Sequence, residues 1–535
     1  MTSAAELIAA REDDDSPALL FEDHVWTFRE FVIEAKRRGR FLQQQLDRSR
    51  PPHVGVLLDN VPEYIFWLAG AALSGSVVVG INSTYRGAQL AQLVSFTDCQ
   101  LVVTASDKRP LLDGLDLGLD GDRIFEVDAP GYSDRLPDPG VLSPVVRDED
   151  LFLLIFTSGS TGMPKAVRCT HARFARTGGH VAQVTQLRLG DVVYAPLPFF
   201  HSSSLFTGWA PSLVAGVPMA LRARFSASVT VEDIGRYGAT VLTYTGKVLN
   251  YILAVPERAA DRTTTLRLAI GNEASFRDIT EFARRFDCDV RDSYGSTEGI
   301  IIIRRDPSMP PAALGTAADT VKVLDPETKL ESPPADFDEN GRVTNWEAAV
   351  GEIVETAPSS GFEGYYKNEE ATRARFRGGF YWSGDLAYRD REGWFYFAGR
   401  SNEWLRVDGE NFAAAPVEAI ISRFPAVRSV AIYAVPDDPV GDRVMAAVEL
   451  AGQQRIDPDE LDRFLTTQPD LGTKWKPTFV RFVPELPKLA SMKIDKQRLR
   501  REAWLVDDVW WRPVRNSSFV PMSEADRQAL AHLLT

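Results

Sequence analysis

Only three cysteines occur in the 535 residues, Cys99, Cys169 and Cys288. They are widely spaced and follow no metal-ligand pattern, so they fit a reducing compartment and no disulfide frame. Long apolar runs are also missing. The longest, Ile65 to Leu73, is about half of what spans a bilayer, so membrane contact is expected to be peripheral at most. Residues 1–15 lack the basic start and apolar segment of a signal peptide, and a cytoplasmic location is expected. A basic excess is absent too: 60 Lys and Arg stand against 74 Asp and Glu, a formal net charge of −14, which argues against a nucleic-acid surface. Positive charge for an anionic ligand must therefore be concentrated locally.

What is there reads as an ordinary globular chain, 44% hydrophobic and 25% charged. It is far longer than the roughly 250–300 residues at which one core stops growing, so several subdomains are expected. Apolar runs near residues 54–58, 77–81 and 101–104 alternate with helical stretches at 60–74 and 87–95. Asn60 is expected to cap the first of these helices, with Glu63 closing a capping box and Gly75 ending it. Residues 107–148 are rich in Asp, Gly and Pro and read as a surface excursion. The alternation resumes from 192 to 293, which predicts two α/β blocks with parallel sheets. Short β-like runs from 300 to 356 suggest a small β-barrel or open β unit. Beyond Arg400 the texture is that of a compact α+β domain, with Asp457 capping a helix that begins at Pro458.

Four segments carry chemistry. The first is Thr157-Ser158-Gly159-Ser160-Thr161-Gly162-Met163-Pro164-Lys165, between two apolar runs. Glycines let successive N–H groups face one anion, while hydroxyls and lysine add donors and charge, so the segment is built to hold a polyphosphate. It is no Walker A motif, because Lys165 follows Pro164 and strand follows it. The second is Asp292-Ser293-Tyr294-Gly295-Ser296-Thr297-Glu298-Gly299, at the end of a predicted strand, where α/β sheets bind ligands. Tyr294 offers a face to a purine, Thr297 a hydroxyl to phosphate and Glu298 an oxygen to Mg²⁺. The third joins Trp382-Ser383-Gly384-Asp385 to Gly399-Arg400. Asp385 can accept two ribose hydroxyls and Arg400 can fork onto ribose or phosphate. The fourth is Pro487-Lys488-Leu489-Ala490-Ser491-Met492-Lys493, in which Lys488 reads as a surface lysine.

In this order the four segments resemble the motifs of the adenylate-forming (ANL) superfamily, which includes acyl-CoA synthetases, luciferases and peptide-synthetase adenylation domains. The resemblance runs from about Phe21 to Pro521. Gly409-Glu410-Asn411 is most similar to the very-long-chain acyl-CoA synthetase and fatty-acid transport protein branch. The resemblance implies a large α/β N-terminal domain over 1–400, holding two α/β sheet subdomains and a small β-barrel-like one. A smaller mobile α+β domain over 403–535 follows. It also implies ATP and coenzyme A as co-substrates, Mg²⁺ on Glu298, and the adenine against Gly271-Asn272-Glu273. Lys493 then serves adenylation, with Met492 where relatives carry glycine. Asn402 stands at the hinge, where Asp or Lys is usual, and Arg406 and Gly409 face the coenzyme A side. His201 resembles a gate of the acyl pocket beside Phe200, and a core histidine is the competing reading. Phe206, Trp209 and the Ile300 to Ile303 run are either pocket wall or plain core.

The implied reaction joins a long-chain or bulky lipophilic carboxylic acid to AMP and then to coenzyme A. Three other readings stay open: a ligase that stops at acyl-AMP, a sterol side-chain or bile-acid type ligase, and a non-catalytic lipid-uptake module. A homodimer is compatible with the sequence.

Overall fold

The computed structural model describes residues 3–140, 142, 146–157, 165–306, 308–310, 313–339, 343–358, 361–400, 404–407, 410–436, 442–452, 456–468, 471–472, 474–489, 492–514 and 517–534. The chain divides into two compact units, residues 1–300 with 359–374, and residues 301–358 with 375–535.

The first unit holds the two expected α/β blocks. In one sheet the strands run in the order Ile124–Glu126, Cys99–Thr104, His53–Leu57, Val77–Gly80, Leu151–Thr157 and Lys165–Thr170. All neighbours are parallel except the last pair, an antiparallel hairpin. The other sheet runs Asp289–Gly295, Leu268–Asn272, Val241–Thr245, Val193–Ala195, Met219–Leu221, Pro17–Phe21 and His24–Thr27. It is parallel up to the closing antiparallel pair. Parallel strands need helical crossovers on both faces, so their sequences are apolar throughout. Val54, Val56 and Leu57 are accordingly all buried.

Two expectations need correction here. Asn60 does not cap the helix Pro62–Ser74; Val61 stands at the cap without a side-chain hydrogen bond. Asn60 is buried and donates instead to the Ala195 carbonyl at 2.8 Å, while Glu63 pairs with the buried Arg38 and accepts from the Tyr132 hydroxyl at 3.1 Å. With Pro62 at the first helical position, one of the N–H groups that a helix start leaves without a partner does not exist. Nor are residues 107–148 a mere surface excursion. Ile124–Glu126 adds an edge strand, and Leu112, Leu117, Phe125 and Tyr132 are buried. A further helix, Phe28–Gln45, lies outside the expected alternation and starts with a complete capping box of Thr27 and Glu30.

His171 opens the helix His171–Thr185 that follows the hairpin. Its ring is fully buried and stacked on Phe152 at 4.9 Å, and among the described residues neither ring nitrogen has a partner. Burial pushes its pKa down to about 4, against an upward pull from Asp150 and Asp148. The unfolded chain, with an ordinary histidine, therefore binds an extra proton between about pH 6.5 and 4. This contribution is present above the unfolded pKa and is lost as pH falls, to the extent of about 3 kcal/mol. Denaturant midpoints at pH 7 and pH 5 should accordingly lie closer together in His171→Phe than in the parent.

In the second unit, an antiparallel sheet orders Val321–Leu324, Gly351–Glu355, Phe380–Arg389 and Phe376–Arg377, with Phe395–Arg400 also paired to Phe380–Arg389. A separate five-stranded sheet orders Val427–Pro436, Asp442–Leu450, Phe479–Val483, Val509–Trp511 and Val520–Pro521. The helix Pro458–Thr466 starts as expected, with Asp457 accepting from Asp459 N and with Leu461 and Leu465 buried. Among the described residues no helix is long and apolar enough to cross a membrane.

Candidate functional site

Thr157 and Lys165 face each other where the hairpin opens, and the Thr157 hydroxyl donates to the Lys165 carbonyl at 3.4 Å. Ser158, Gly159, Ser160, Thr161 and Gly162 lie outside the described residues. The outer edge of Lys165–Thr170 is covered by residues 363–366. Arg168 N donates to the Gly364 carbonyl and Tyr366 N to the Ala166 carbonyl, at 3.0 and 2.8 Å. Thr170 N and its hydroxyl both donate to the Glu363 carboxylate, at 2.7 and 2.6 Å.

That pairing delivers a residue that the motifs did not point to. The Lys165 ammonium lies 5.4 Å from the centre of the Tyr365 ring, and the Tyr365 hydroxyl donates to Glu298 Oε1 at 2.6 Å. Both Tyr365 and Glu298 are buried. The lysine that closes the hydroxyl-rich loop and the carboxylate of the second motif are thus joined through one phenol.

The other sheet presents its strand ends to the same region. Ser202 and Thr297 share a hydrogen bond between their hydroxyls at 3.0 Å, and Ser203 and Thr245 another at 2.9 Å. His201 sits between Ser202 and the buried Phe200, with ring centres 4.5 Å apart. Gly271 and Asn272 end the strand Leu268–Asn272, and a Cβ on Gly271 would collide with the Tyr244 carbonyl and lie 2.7 Å from its ring. Glu273 takes a left-handed conformation, φ 66°. Asp292 steadies this turn, accepting from the Tyr244 hydroxyl at 2.9 Å and from Ala274 N at 3.0 Å. Tyr294 and Gly295 end the adjacent strand, Asp289–Gly295. Thr245, Asn272 and Gly295 are therefore neighbouring C-terminal strand ends, the usual place for a ligand in such sheets.

The remaining expected residues belong to the second unit. Asp385 is buried and lies opposite Arg400 in the register of Phe380–Arg389 with Phe395–Arg400. The turn before it is set by the buried Glu352, which accepts from Gly384 N at 2.6 Å and pairs with Arg377 at 2.6 Å. Arg406 pairs with Asn411 through the backbone, and the side chains of Arg400 and Arg406, like Asn402 and Gly409 entirely, lie outside the described residues. Lys493 stands in a tight turn in which its carbonyl accepts from Leu489 N at 2.8 Å. Met492 precedes it with φ 64°, a left-handed conformation that glycine adopts without cost. That geometry gives a physical reason for the glycine that the resemblance leads one to expect at this place.

Whether the first unit's residues suit a divalent cation can be judged from their donors. Glu298 offers a buried carboxylate with one oxygen held by Tyr365, and its sequence neighbour Thr297 carries a hydroxyl that is hydrogen-bonded to Ser202. Among the described residues no three His, Cys, Asp or Glu side chains converge on one point. Hard oxygen donors in so small a number fit Mg²⁺, which takes one or two carboxylates and completes its shell with phosphates and water.

Comparison with known proteins shows the family. The AMP-binding enzyme family matches residues 7–366 and the AMP-binding enzyme C-terminal domain matches residues 416–493. Steroid-22-oyl-CoA synthetase of Rhodococcus jostii is 45% identical over 96% of this chain and 93% of its own length. Medium/long-chain-fatty-acid–CoA ligase FadD17 of Mycobacterium tuberculosis is 42% identical over 96% of this chain and 99% of its own. Long-chain fatty acid transport protein 1 of Mus musculus is more distant, 27% identical over 93% of this chain and 82% of its own. In fold, the chain is similar to ATP-bound MatB from Rhodopseudomonas palustris, with TM-score 0.79, 24% identity, and coverage of 93% of this chain and 98% of that one.

Proposed function

Because the chain belongs to the AMP-binding enzyme family, we propose that it is an ATP-dependent acyl-CoA synthetase that activates a bulky lipophilic carboxylic acid. The carboxylate on a steroid side chain is the first substrate to test and a medium- or long-chain fatty acid the second, since the 45% and 42% identical relatives are named for such acids. The observation that supports the reading most is the junction of Lys165, Tyr365 and Glu298, in which the lysine of the phosphate-type segment and a carboxylate suited to Mg²⁺ meet at one phenol.

A carboxylate is a poor electrophile, so it is first joined to a better leaving group. Its oxygen attacks the α-phosphorus of ATP, a P–O bond forms, and the bond to the β-phosphate breaks as pyrophosphate leaves. In this scheme the Thr157 to Lys165 segment, with Ser158, Ser160 and Thr161, holds the β- and γ-phosphates. Asn272, Asp292 and Tyr294 frame the adenine, and Asp385 and Arg400 take the ribose. Lys493 offsets the repulsion between the two reacting anions. Glu298 would hold the magnesium ion, which when bound supplies charge neutralisation at the phosphates. Positioning and charge carry the step, with no acid or base required at phosphorus. The domain 403–535 then turns about Asn402 and presents Arg406 and Gly409 to coenzyme A. The thiolate attacks the acyl carbon, the C–S bond forms, and AMP departs with the electrons of the C–O bond. His201 and Phe200 gate the acyl chain.

The test is a panel of carboxylic acids assayed for AMP and pyrophosphate release with and without coenzyme A. AMP release that needs both a lipophilic acid and the thiol is expected. Pyrophosphate release with the acid alone, and no AMP release even when the thiol is added, would identify a ligase that stops at the adenylate, and neither product with any acid would defeat the reading. The role given to Tyr365 has its own check. A hydrogen bond to a charged group is worth about 1.5–3 kcal/mol, so in Tyr365→Phe the magnesium concentration for half-maximal activity should rise about tenfold or more.

A further inference from the structure

Arg173 is a buried cation for which the reaction scheme has no use. It is 4% exposed, on the first turn of His171–Thr185, and among the described residues it makes no ion pair. A guanidinium out of water needs compensation. Here it comes from three directions. One nitrogen, Nη1, donates to the Arg168 carbonyl at 2.7 Å, on the strand that leaves the hydroxyl-rich loop. The other, Nη2, donates to the Thr297 carbonyl, next to Glu298. The group also lies over the Phe206 ring, 5.7 Å from its centre.

Phe206 belongs to Ser204–Trp209, a π-helical turn that continues into the helix Ala210–Ala215. Such turns widen a helix by one residue, leave it less tightly bonded, and recur at functional sites. Phe206 also meets Phe174, which stands beside Arg173 in sequence, with ring centres 6.5 Å apart. One guanidinium thus touches the strand behind the phosphate loop, the backbone of the magnesium motif and an aromatic wall. Its planar fork is what allows two carbonyls and a ring face to be served at once, which a lysine ammonium cannot do in the same geometry.

We propose that Arg173 is a positioning residue that couples the acyl pocket to the nucleotide site. The inference rests on the acyl-CoA synthetase reading and on Phe206 being pocket wall. An acyl group that presses on Phe206 moves the guanidinium, and with it the Thr297 carbonyl that fixes the Glu298 turn. Binding of a lipophilic acid and of nucleotide then favour one another, each by the same factor.

Binding measures this without turnover. Calorimetric titration of α,β-methylene-ATP in magnesium buffer, with and without a saturating acid that the parent protein accepts, yields the coupling factor. In the parent the acid should tighten nucleotide binding about fivefold or more. In Arg173→Met the factor should fall to one, in Phe206→Leu likewise, and Arg173→Lys should fall between. Melting curves show which variants fold, and Phe206→Leu and Arg173→Lys carry the test if Arg173→Met does not. A factor in Arg173→Met or Arg173→Lys equal to the parent's, or a parent factor of one, overturns the coupling and leaves the synthetase reading standing. A parent that binds no nucleotide overturns both.

Discussion

Lys493→Ala is expected to lower acid-dependent exchange of pyrophosphate into ATP by about 10²–10³-fold, the range seen when one preorganised group aimed at developing charge is removed. The physical reason is specific to the first half-reaction. Two anions, the acid's carboxylate and the α-phosphate, must approach to bonding distance, and a cation between them lowers that cost. In the second half-reaction the thiolate attacks the neutral acyl carbon of a supplied acyl adenylate, and no carboxylate has to approach the α-phosphate. Thioester formation from synthetic adenylate and coenzyme A should therefore stay close to the parent rate. Equal loss of both half-reactions would show that Lys493 has another role. The turn that carries it, with Met492 at φ 64°, is a separate variable. A loss that came from misfolding of this turn would lower the melting temperature as well.

Glu298→Gln should have an effect of similar size, about 10²–10³-fold on the same exchange reaction. The substitution keeps the shape of the side chain and removes its charge. The Tyr365 hydroxyl still finds an oxygen or an amide across from it, so folding is expected to persist. What is lost is the anion that would hold magnesium against the phosphates. The magnesium dependence should shift to higher concentration together with the fall in rate. A variant with an unchanged magnesium profile would remove Glu298 from the metal site.

These candidates can be picked from the sequence because each motif packs its proposed chemistry into a short contiguous stretch. Thr157 to Lys165 and Asp292 to Gly299 declare themselves by composition, and the strands that deliver them are plain apolar runs. The partners of those motifs are long-range and were not legible. Glu298 meets Tyr365 across 67 positions of sequence. Thr297 meets Arg173 across 124. A Gly364-Tyr365-Tyr366 run signals an aromatic β segment and says nothing of what the phenol will touch. The same limit explains the error at Asn60: its local pattern is that of a cap, but the Ala195 carbonyl, 135 positions away, competes for the side chain and wins. Between 107 and 148 the many Asp, Gly and Pro residues hide a few apolar ones, and it is those few that reach the core. The helix Phe28–Gln45 carries a legible start, since the capping box at Thr27 and Glu30 is local.

The central claim is that loop, carboxylate and lysine serve one adenylation of a lipophilic acid. Isotope exchange between labelled pyrophosphate and ATP, with steroid side-chain acids and medium- or long-chain fatty acids offered one at a time, tests it most directly. Exchange that appears only with such an acid, and that vanishes in Glu298→Gln and Lys493→Ala, is the predicted result. Exchange that proceeds without any acid, or that survives both substitutions, would contradict it.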